Sequence, residues 1–385
     1  MYDPFDPTTI IEPYPAYTWL RDEAPVYHNE QWDLYAISRY DDVVWALRNY
    51  EQLSSTGGVG YEMRPVPMMI ALDPPDHTRL RRIVQREFVP KAIDRWEVQI
   101  AALADALLEH FLEAGEGDWA HDIAYPFPVQ VIADMLGVPA ADREQFKAWS
   151  DIVLDLLAAG PIPGAERDAM EQAALDFSEY LFGQVNIRRE QPADDLLGLL
   201  LNPRSGEVLT NFELVAFAML ILVAGHETTT NLLSSMVWLL ATHPDQWDAL
   251  RADRSLVPNA VEEIVRYESP IQGFFRHTLS EVERGGVSIP EGKKVLVLYG
   301  SANRDPRHFG EPDRFDVTRS VTNHVAFGAG IHLCLGAPVA RLESRLLLER
   351  LLDRVERLEL AGEPVRRQNP LLRGFEHLPV RVVLR

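Results

Sequence analysis

The feature that most constrains this 385-residue sequence is a long apolar helix near its middle. Thr210 and Glu213 have the Thr-x-x-Glu spacing of a capping box, and helical periodicity continues to Thr242, just before Pro244. At about 1.5 Å per residue, such a helix would be about 48 Å long, enough to cross a domain. Most of its surface is apolar all round, as in a buried helix, but Gly225–Asn231 near its midpoint is polar. That polar midpoint must face something other than an apolar core.

Helical periodicity dominates from about residue 76 to 268 and from 338 to 356. Residues 1–75, 270–300 and 365–385 contain the strand-like segments, including Val287–Ser301 and Leu378–Leu384. The sequence therefore predicts a mainly α fold with a minor sheet formed by both chain ends and the 270–300 region. The predicted helices are Thr78–Phe88, Ile93–Glu113, Pro128–Leu136, Ala141–Ala158, Glu166–Arg189, Thr210–Ala241, Asn259–Tyr267 and Pro338–Val355.

Composition excludes several classes of protein. With 58 acidic and 37 basic residues the net charge is −21, which disfavours nucleic acid or an anionic membrane surface as the main partner. One cysteine excludes an intrachain disulfide or a thiolate-held iron–sulfur cluster and fits a reducing compartment. The acidic, proline-rich amino end does not resemble a signal peptide, and the longest apolar run, Leu214–Ala224, is too short to span a bilayer. We expect a cytoplasmic protein with no membrane anchor.

The lone cysteine lies in the segment Phe327-Gly-Ala-Gly-Ile-His-Leu-Cys-Leu-Gly336, just before a helix that starts near Pro338. The glycines allow close backbone approach, and the positive end of the helix dipole favours a thiolate. Such a Cys334 could be a nucleophile or a metal ligand. With no second cysteine, the metal would have to bring most of its own ligands, as haem does. A zinc site at His226-Glu227 is excluded because Thr230 stands where H-E-x-x-H requires histidine.

Four motifs together resemble those of the bacterial cytochrome P-450 monooxygenases. Phe327-x-x-Gly330-x-x-x-Cys334-x-Gly336 is similar to the haem-binding signature, and Ala224-Gly225-x-Glu227-Thr228 to the oxygen-activation motif. Glu263-x-x-Arg266, and Asn303–Pro306 running on to Phe315-Asp316, complete the set. The resemblance covers essentially the whole chain. It implies a single catalytic domain over 1–385, with the family's triangular prism fold and its long central helix over haem b.

The resemblance also implies residue roles. Cys334 would be the axial thiolate ligand of haem iron, and Glu227 with Thr228 would deliver protons. Glu263 and Arg266 would form a structural pair completed by Arg314, although Glu262 is also spaced to reach Arg266. Further haem contacts and propionate partners would be Ala224, Phe327, Gly330, Gly336, His77, Arg81, Arg276 and His332.

The implied partners are a separate ferredoxin-type donor with its flavin reductase, and a hydrophobic substrate such as a steroid, terpenoid or fatty acid. We expect a monomer. Arg81 would point inward, while a docking patch would comprise Arg79, Arg82 and Arg86, with Arg341 or Arg345. The predicted substrate contacts are Val59, Tyr61, Met63, Val66, Met68, Met69, Leu156, Leu157, Phe217, Phe274 and Phe275.

Two alternatives stay open at this point. A peroxide-driven haem-thiolate peroxygenase typically lacks the acid–alcohol pair that Glu227-Thr228 provides here. A haem-based ligand sensor would need a signalling domain, for which no sequence remains.

Overall fold

The computed structural model describes residues 2–62, 67–158, 164–202 and 206–385. The mainly helical fold predicted from the sequence is confirmed. The helices are α1 (Pro7–Ile11), α2 (Tyr14–Glu23), α3 (Tyr40–Arg48), α4 (Asp76–Val84), α5 (Pro90–Ile93), α6 (Glu97–Ala114), α7 (Pro126–Met135), α8 (Arg143–Ala158), α9 (Gly164–Glu190), α10 (Leu196–Leu201), α11 (Asn211–Thr242), α12 (Pro244–Ala252), α13 (Val257–Glu268), α14 (Tyr299–Ala302) and α15 (Ala337–Arg354).

The strands form one five-stranded sheet, one three-stranded sheet and two hairpins. They are β1 (Val26–Asn29), β2 (Leu34–Ile37), β3 (Leu53–Ser54), β4 (Glu116–Asp118), β5 (Phe274–Thr278), β6 (Val282–Arg284), β7 (Val287–Ile289), β8 (Lys294–Val297), β9 (Val355–Leu360), β10 (Val365–Arg366), β11 (Phe375–His377) and β12 (Pro379–Leu384). The larger sheet has the order β1-β2-β8-β5-β3 and the smaller one the order β4-β12-β9.

The prediction of one sheet shared by both chain ends was wrong. The amino-terminal strands do join the 270–300 region, through the parallel pairing of β2 with β8. The carboxy-terminal strand β12 instead pairs antiparallel with β9, with Val380 opposite Leu360. Because β9 follows α15 directly, it lies beside β12 and pairs with it, so β12 forms part of the three-stranded sheet and not of the five-stranded one. The predicted strand Val287–Ser301 also ends early, since α14 begins at Tyr299.

The central helix α11 begins with the predicted capping box. The Thr210 hydroxyl accepts from the Glu213 N–H at 3.2 Å, and the Glu213 carboxylate accepts from the Thr210 N–H at 2.8 Å. The helix ends before Pro244 and packs against α7, α9, α13 and α15. In the described segments α11 is the one helix long and apolar enough to cross a membrane, and these helices enclose it.

One acidic side chain on α15 is buried without a counter-charge. Glu343 is 2% exposed, and its Oε2 atom has no hydrogen-bond partner among the described residues. The neighbouring Ser344 hydroxyl is also buried and unpartnered there. Burial raises the pKa of Glu343 to about 8, so the folded protein keeps this carboxyl protonated at neutral pH.

We expect Glu343→Gln to stabilise the protein at alkaline pH but hardly at pH 5. An unfolded chain releases this proton near the ordinary glutamate pKa of 4.5, whereas the folded chain holds it to about pH 8. Across that window the native state binds one more proton, so this group lowers the free energy of unfolding as pH rises, by about 1.4 kcal/mol per unit. Thermal melts at pH 5 and pH 8.5 measure the effect. The control, Glu349→Gln on the same helix, replaces a side chain that is 40% exposed. A wild-type-like melting temperature of Glu343→Gln at both pH values would contradict the assignment.

Candidate active site

The loop before α15 folds tightly onto itself around Cys334. The Cys334 N–H donates to the carbonyl oxygen of Phe327 at 2.8 Å, and the Leu333 N–H donates to that of Gly330 at 3.2 Å. Gly330 has a φ of +70°, and a Cβ atom there would lie 2.5 Å from the carbonyl oxygen of Leu47. Only glycine fits this position, because both the backbone conformation and the space exclude a side chain.

The Cys334 thiol lies at an open cleft. Its side chain is exposed, yet protein atoms surround it on most sides, so it lines an open cleft of about 310 Å³. Burial raises the pKa of the Cys334 thiol, while the backbone N–H groups of Gly336 and Ala337 donate to the sulfur and act in the opposite direction. Arg81 and Arg341 also favour the thiolate electrostatically. These groups would stabilise a ligating thiolate once a metal replaces the proton.

Four basic side chains gather beside the cysteine loop. His77 is 2% exposed and Arg276 is 4% exposed, and the ring centroids of His77 and His332 lie 4.5 Å apart. Arg81 donates to the carbonyl oxygen of Leu333 at 2.7 Å. Both ring nitrogens of His77 and the Nε2 atom of His332 lack a partner among the described residues. Within the described segments, no carboxylate lies within ion-pair distance of Arg81 or Arg276.

Nearby positive charge disfavours protonation of the two histidines in this cluster. Burial, and then the nearby Arg81, lower the pKa of His77. Burial, together with Arg276, His77 and Arg81, lowers the pKa of His332 to about 2. Buried basic groups that disfavour one another's charge require a negative partner or remain unpaired at a cost in stability.

The midpoint of α11 is accessible from outside the helix. Ala224 is exposed although most of this helix is buried, and Thr228, one turn later, is partly exposed. The Thr228 hydroxyl donates to the carbonyl oxygen of Ala224 at 2.7 Å, and the helix continues through this turn. The hydroxyl oxygen keeps lone pairs available to accept from a second donor.

The adjacent residues on α11 point into protein. Glu227 is 8% exposed, and its Oε1 atom accepts from Arg367 at 3.1 Å. His226 is buried and its ring meets Tyr125 edge-on, with centroids 4.5 Å apart. Burial lowers the pKa of His226 to about 3, so its ring is neutral. Sequence reasoning missed Arg367 and Tyr125, because neither lies near the α11 motif in the chain.

Comparison with known proteins identifies the family. The model of the cytochrome P-450 family matches residues 66–375. The chain belongs to the cytochrome P-450 family. It is 41% identical over 394 residues to the vitamin D(3) 25-hydroxylase of Pseudonocardia autotrophica, covering 98% of this chain and 96% of that protein.

One further relative and one solved structure support the same family. The chain is 38% identical over 370 residues to the steroid C26-monooxygenase of Mycobacterium tuberculosis, covering 95% of this chain and 92% of that protein. The crystal structure of CYP109E1 from Bacillus megaterium in complex with corticosterone matches with a TM-score of 0.89 and 33% identity, covering 97% of this chain and 99% of that one. The protein is therefore a monooxygenase, an oxidoreductase with a haem cofactor. Bacterial cytochromes P-450 generally depend on a redox partner and bind hydrophobic substrates.

The residues of this cytochrome P-450 fit a haem. The thiol of Cys334 supplies a soft ligand, and the cluster of His77, Arg81, Arg276 and His332 supplies basic groups for two propionates, among them the unpartnered ring nitrogens of His77 and His332. A Cβ atom added to Gly336 would meet no atom within 4 Å, so the space beside this residue is open for a flat cofactor.

The Glu-x-x-Arg pair of this cytochrome P-450 is fully buried. Arg266 donates to both Glu263 oxygens, at 2.7 and 2.8 Å, and neither side chain is exposed. Arg266 also donates to the carbonyl oxygens of Asn303 and Pro312. The pair therefore holds α13 against the segment that leads to the cysteine loop.

The prediction that Arg314 completes this pair was wrong. Arg319 donates to Glu263 at 3.2 Å, whereas the Arg314 side chain is 60% exposed and pairs with Glu311 at 3.5 Å. The loop turns after Asp316, which carries Arg319 inward and leaves Arg314 outside.

Glu262, the other spaced partner of Arg266, binds elsewhere. Its carboxylate accepts from Arg341 at 2.6 Å and contacts His324 Nε2 at 2.9 Å. Arg341 lies 4.5 Å above the Phe327 ring, so Glu262 ties α13 and α15 to the first residue of the cysteine signature. Arg341 is thus part of an internal network, which differs from its predicted place in a docking patch.

One of the predicted substrate contacts lies in the core. Phe275 is fully buried, and the partly buried ring of Tyr61 lies 5.8 Å from it. The Tyr61 hydroxyl donates to the carbonyl oxygen of Trp32 at 3.2 Å. Successive residues of a strand face opposite sides, so Phe274 points away from Phe275 and packs against Tyr299. Phe275 therefore cannot line a pocket as it stands.

The other predicted contacts are more dispersed. Met69 and Phe217 line a small cavity of about 20 Å³, which has room for one water molecule. Val59 and Met68 are partly exposed. Met63 and Val66 lie outside the described residues, as do the side chains of Leu156 and Leu157.

The arginines proposed for docking differ in their partners. Arg79 pairs with Glu213, and Arg82 pairs with Glu207 although its side chain is 59% exposed. Arg86 is exposed, has no carboxylate partner within the described segments, and lines the cleft that contains Cys334. Arg79 therefore does not face out freely as predicted, because the first turn of α11 neutralises it.

Proposed function

We propose that this cytochrome P-450 hydroxylates or epoxidises a hydrophobic substrate of steroid size, using electrons from a cytoplasmic ferredoxin and its flavin reductase. The observation that carries this proposal is the accessible turn Ala224–Thr228 on a mostly buried helix, which leaves one hydroxyl partly exposed. The substrate class is supported by similarity to a vitamin D(3) hydroxylase, a steroid monooxygenase and a structure containing corticosterone.

We assign the Cys334 sulfur as the group that would hold the haem iron. When bound, the haem would supply the activation of O₂, with the two electrons coming from the ferredoxin. The N–H groups of Gly336 and Ala337 stabilise negative charge on the sulfur, and the tight loop closed through Gly330 fixes its direction. His77, Arg81, Arg276 and His332 would bind the propionates, which relieves the unpartnered donors of the cluster.

Proton delivery is assigned to Thr228 and Glu227. Thr228 already donates to Ala224, so its oxygen keeps lone pairs to accept a hydrogen bond from a second donor, and the hydroxyl can pass a proton on by rotation. Glu227 is held away by Arg367 and must turn from this arginine to exchange a proton with Thr228. Arg367 would then be a positioning residue that holds the carboxylate in place between turnovers.

We expect Thr228→Ala to bind haem normally but to waste electrons. Without the hydroxyl, protons reach the reacting oxygen without guidance, so product formation falls on the order of 100-fold while NAD(P)H is still consumed and peroxide accumulates. The measurement is the ratio of product and peroxide to NAD(P)H oxidised. Thr242→Ala is the matched control, because Thr242 makes the same bond to Trp238, at 2.8 Å, at the end of α11. If Thr228→Ala still converts nearly all the NAD(P)H that it oxidises into product, the assignment of proton delivery to Thr228 is wrong.

We place donor docking on the exposed side of α4 and the turn that follows it. Arg86 is the predicted docking arginine with a free guanidinium in the described structure, and the cleft that it lines leads to Cys334. The Arg82 side chain is 59% exposed, compared with 43% for Arg341 and 36% for Arg79. In a chain of net charge −21, an acidic donor is repelled except where such a basic surface faces it.

Reversing charge at both positions tests the patch. We expect Arg82→Glu/Arg86→Glu to slow haem reduction by about tenfold or more at low salt, because electrostatic steering changes to repulsion. The control Arg357→Glu/Arg381→Glu makes the same change in net charge on the β9–β12 sheet, where both arginines are more than half exposed. Stopped-flow reduction at several salt concentrations is the measurement. Equal rates in the two double variants would place docking elsewhere.

The substrate class is tested by binding and turnover. Corticosterone and vitamin D(3) are expected to shift the haem absorption of the holoenzyme and, with a surrogate ferredoxin and reductase, to give products that have gained one atom from isotopically labelled O₂. Binding of medium-chain fatty acids with no response to either sterol would overturn the substrate class while leaving the monooxygenase activity intact.

A further inference from the structure

A second set of ligand atoms lies far from Cys334 in the sequence. Asp118 ends β4, His121 lies in a short π-helix (Ala120–Ala124), and His377 ends β11. One ligand atom from each of these three residues lies within 4.8 Å of the others. His377 Nδ1 is 2.7 Å from Asp118 Oδ2, and the two imidazole centroids are 5.1 Å apart.

The backbone holds this set in place. Asp118 Oδ1 accepts from the N–H groups of Ala120 and Leu378, at 3.1 and 2.9 Å, which leaves Oδ2 facing His377. The Trp119 N–H also donates to the carbonyl oxygen of Leu378 at 2.9 Å. Two chain segments more than 250 residues apart are thus fixed side by side before any ligand arrives.

We propose that Asp118, His121 and His377 bind a divalent late transition metal ion, with zinc as the expected ion. Two imidazoles and one carboxylate are a common zinc ligand set, with water in the fourth position. Metal–ligand distances of about 2.0–2.2 Å place tetrahedral ligand atoms roughly 3.4 Å apart. Rotation of the two exposed imidazoles would lengthen the 2.7 Å contact between His377 and Asp118 and bring the three ligand atoms, which lie within 4.8 Å of one another, to this spacing.

Ca²⁺ and Mg²⁺ fit this site poorly. Both ions prefer shells built from oxygen, whereas this set offers nitrogen from two of its three side chains. The strongly acidic chain also attracts cations to its surface in general. Selectivity for zinc-like ions would therefore come from the imidazoles and not from the overall field.

A bound metal would join two segments that contact the centre of α11. The π-helix leads directly into Tyr125, whose ring packs on His226. His377 pairs with Val365 on β10, and the N–H of Arg367, just after β10, donates to the carbonyl oxygen of Gly374 at 3.2 Å. Arg367 in turn binds Glu227. The metal would therefore restrain the surroundings of both His226 and Glu227.

The test uses tag-free, haem-loaded protein that has been treated with a chelator and then titrated with Zn²⁺ by calorimetry. We expect one equivalent to bind, His121→Ala and His377→Ala each to weaken binding by at least about tenfold, and the exposed control His110→Ala to bind as wild type does. Unchanged haem spectra and melting temperatures in chelator establish that the variants fold.

A spectroscopic measurement identifies the ligands. Cu²⁺ at one equivalent should show hyperfine coupling to two imidazole nitrogens in the wild type and to one in either histidine variant. Zinc binding that is absent in the wild type, or that both histidine variants retain at full strength, would overturn the proposal.

Discussion

Cys334→Ser should lose product formation by at least about 100-fold, more than the 10–100-fold that outer partners of a metal ligand typically contribute. A serine oxygen is harder and far more basic than a thiolate, so it ligates iron poorly and donates little electron density. The chain offers no replacement, because Cys334 is its only cysteine. Product formation per haem, with a surrogate ferredoxin and reductase, is the measurement.

Cys334→His separates ligation from chemistry. An imidazole can hold haem iron, so this variant should restore haem content without restoring monooxygenase turnover. The cavity beside Gly336 leaves room for the larger side chain. Substantial turnover in either variant would mean that another group binds the iron, and the assignment of Cys334 would be wrong.

The second large effect is expected from Arg266→Met, which should lower the free energy of unfolding by about 3–5 kcal/mol. The substitution leaves Glu263 fully buried with Arg319 as its remaining cationic partner, and it removes donors from the carbonyl oxygens of Asn303 and Pro312. Urea unfolding of the holoenzyme, followed by circular dichroism, measures the loss.

Arg314→Met is the matched control. Arg314 was the sequence-based choice for this network, but its side chain is 60% exposed and its nearest ion pairs are 3.5 and 3.7 Å long. We expect its replacement to change stability by less than about 0.5 kcal/mol. Similar losses of unfolding free energy in Arg266→Met and Arg314→Met would contradict a buried network in which Arg266 takes part and Arg314 does not.

The central helix α11 and the loop around Cys334 could be predicted from local sequence. The capping box at Thr210 and the apolar periodicity of α11 need no distant information, and the glycines around Cys334 answer a local requirement for close backbone approach. The choice of Glu263 over Glu262 as the Arg266 partner rested on the family pattern, and the structure pairs Arg266 with Glu263.

The errors arose where tertiary structure decides. Arg319 replaces Arg314 because of a turn whose course depends on packing. Arg367 reaches Glu227 across 140 residues, which no local pattern can indicate. The adjacent phenylalanines were a different case. Strand alternation alone requires Phe274 and Phe275 to face opposite sides, so the sequence could have excluded one of them from the pocket.

Carbon monoxide bound to the reduced protein tests the central claim most directly. If the Cys334 thiolate ligates the haem iron, the difference spectrum of the active protein will show the long-wavelength band characteristic of haem-thiolate proteins, and Cys334→His will lack it. A histidine-type spectrum in the active wild-type protein would contradict the account.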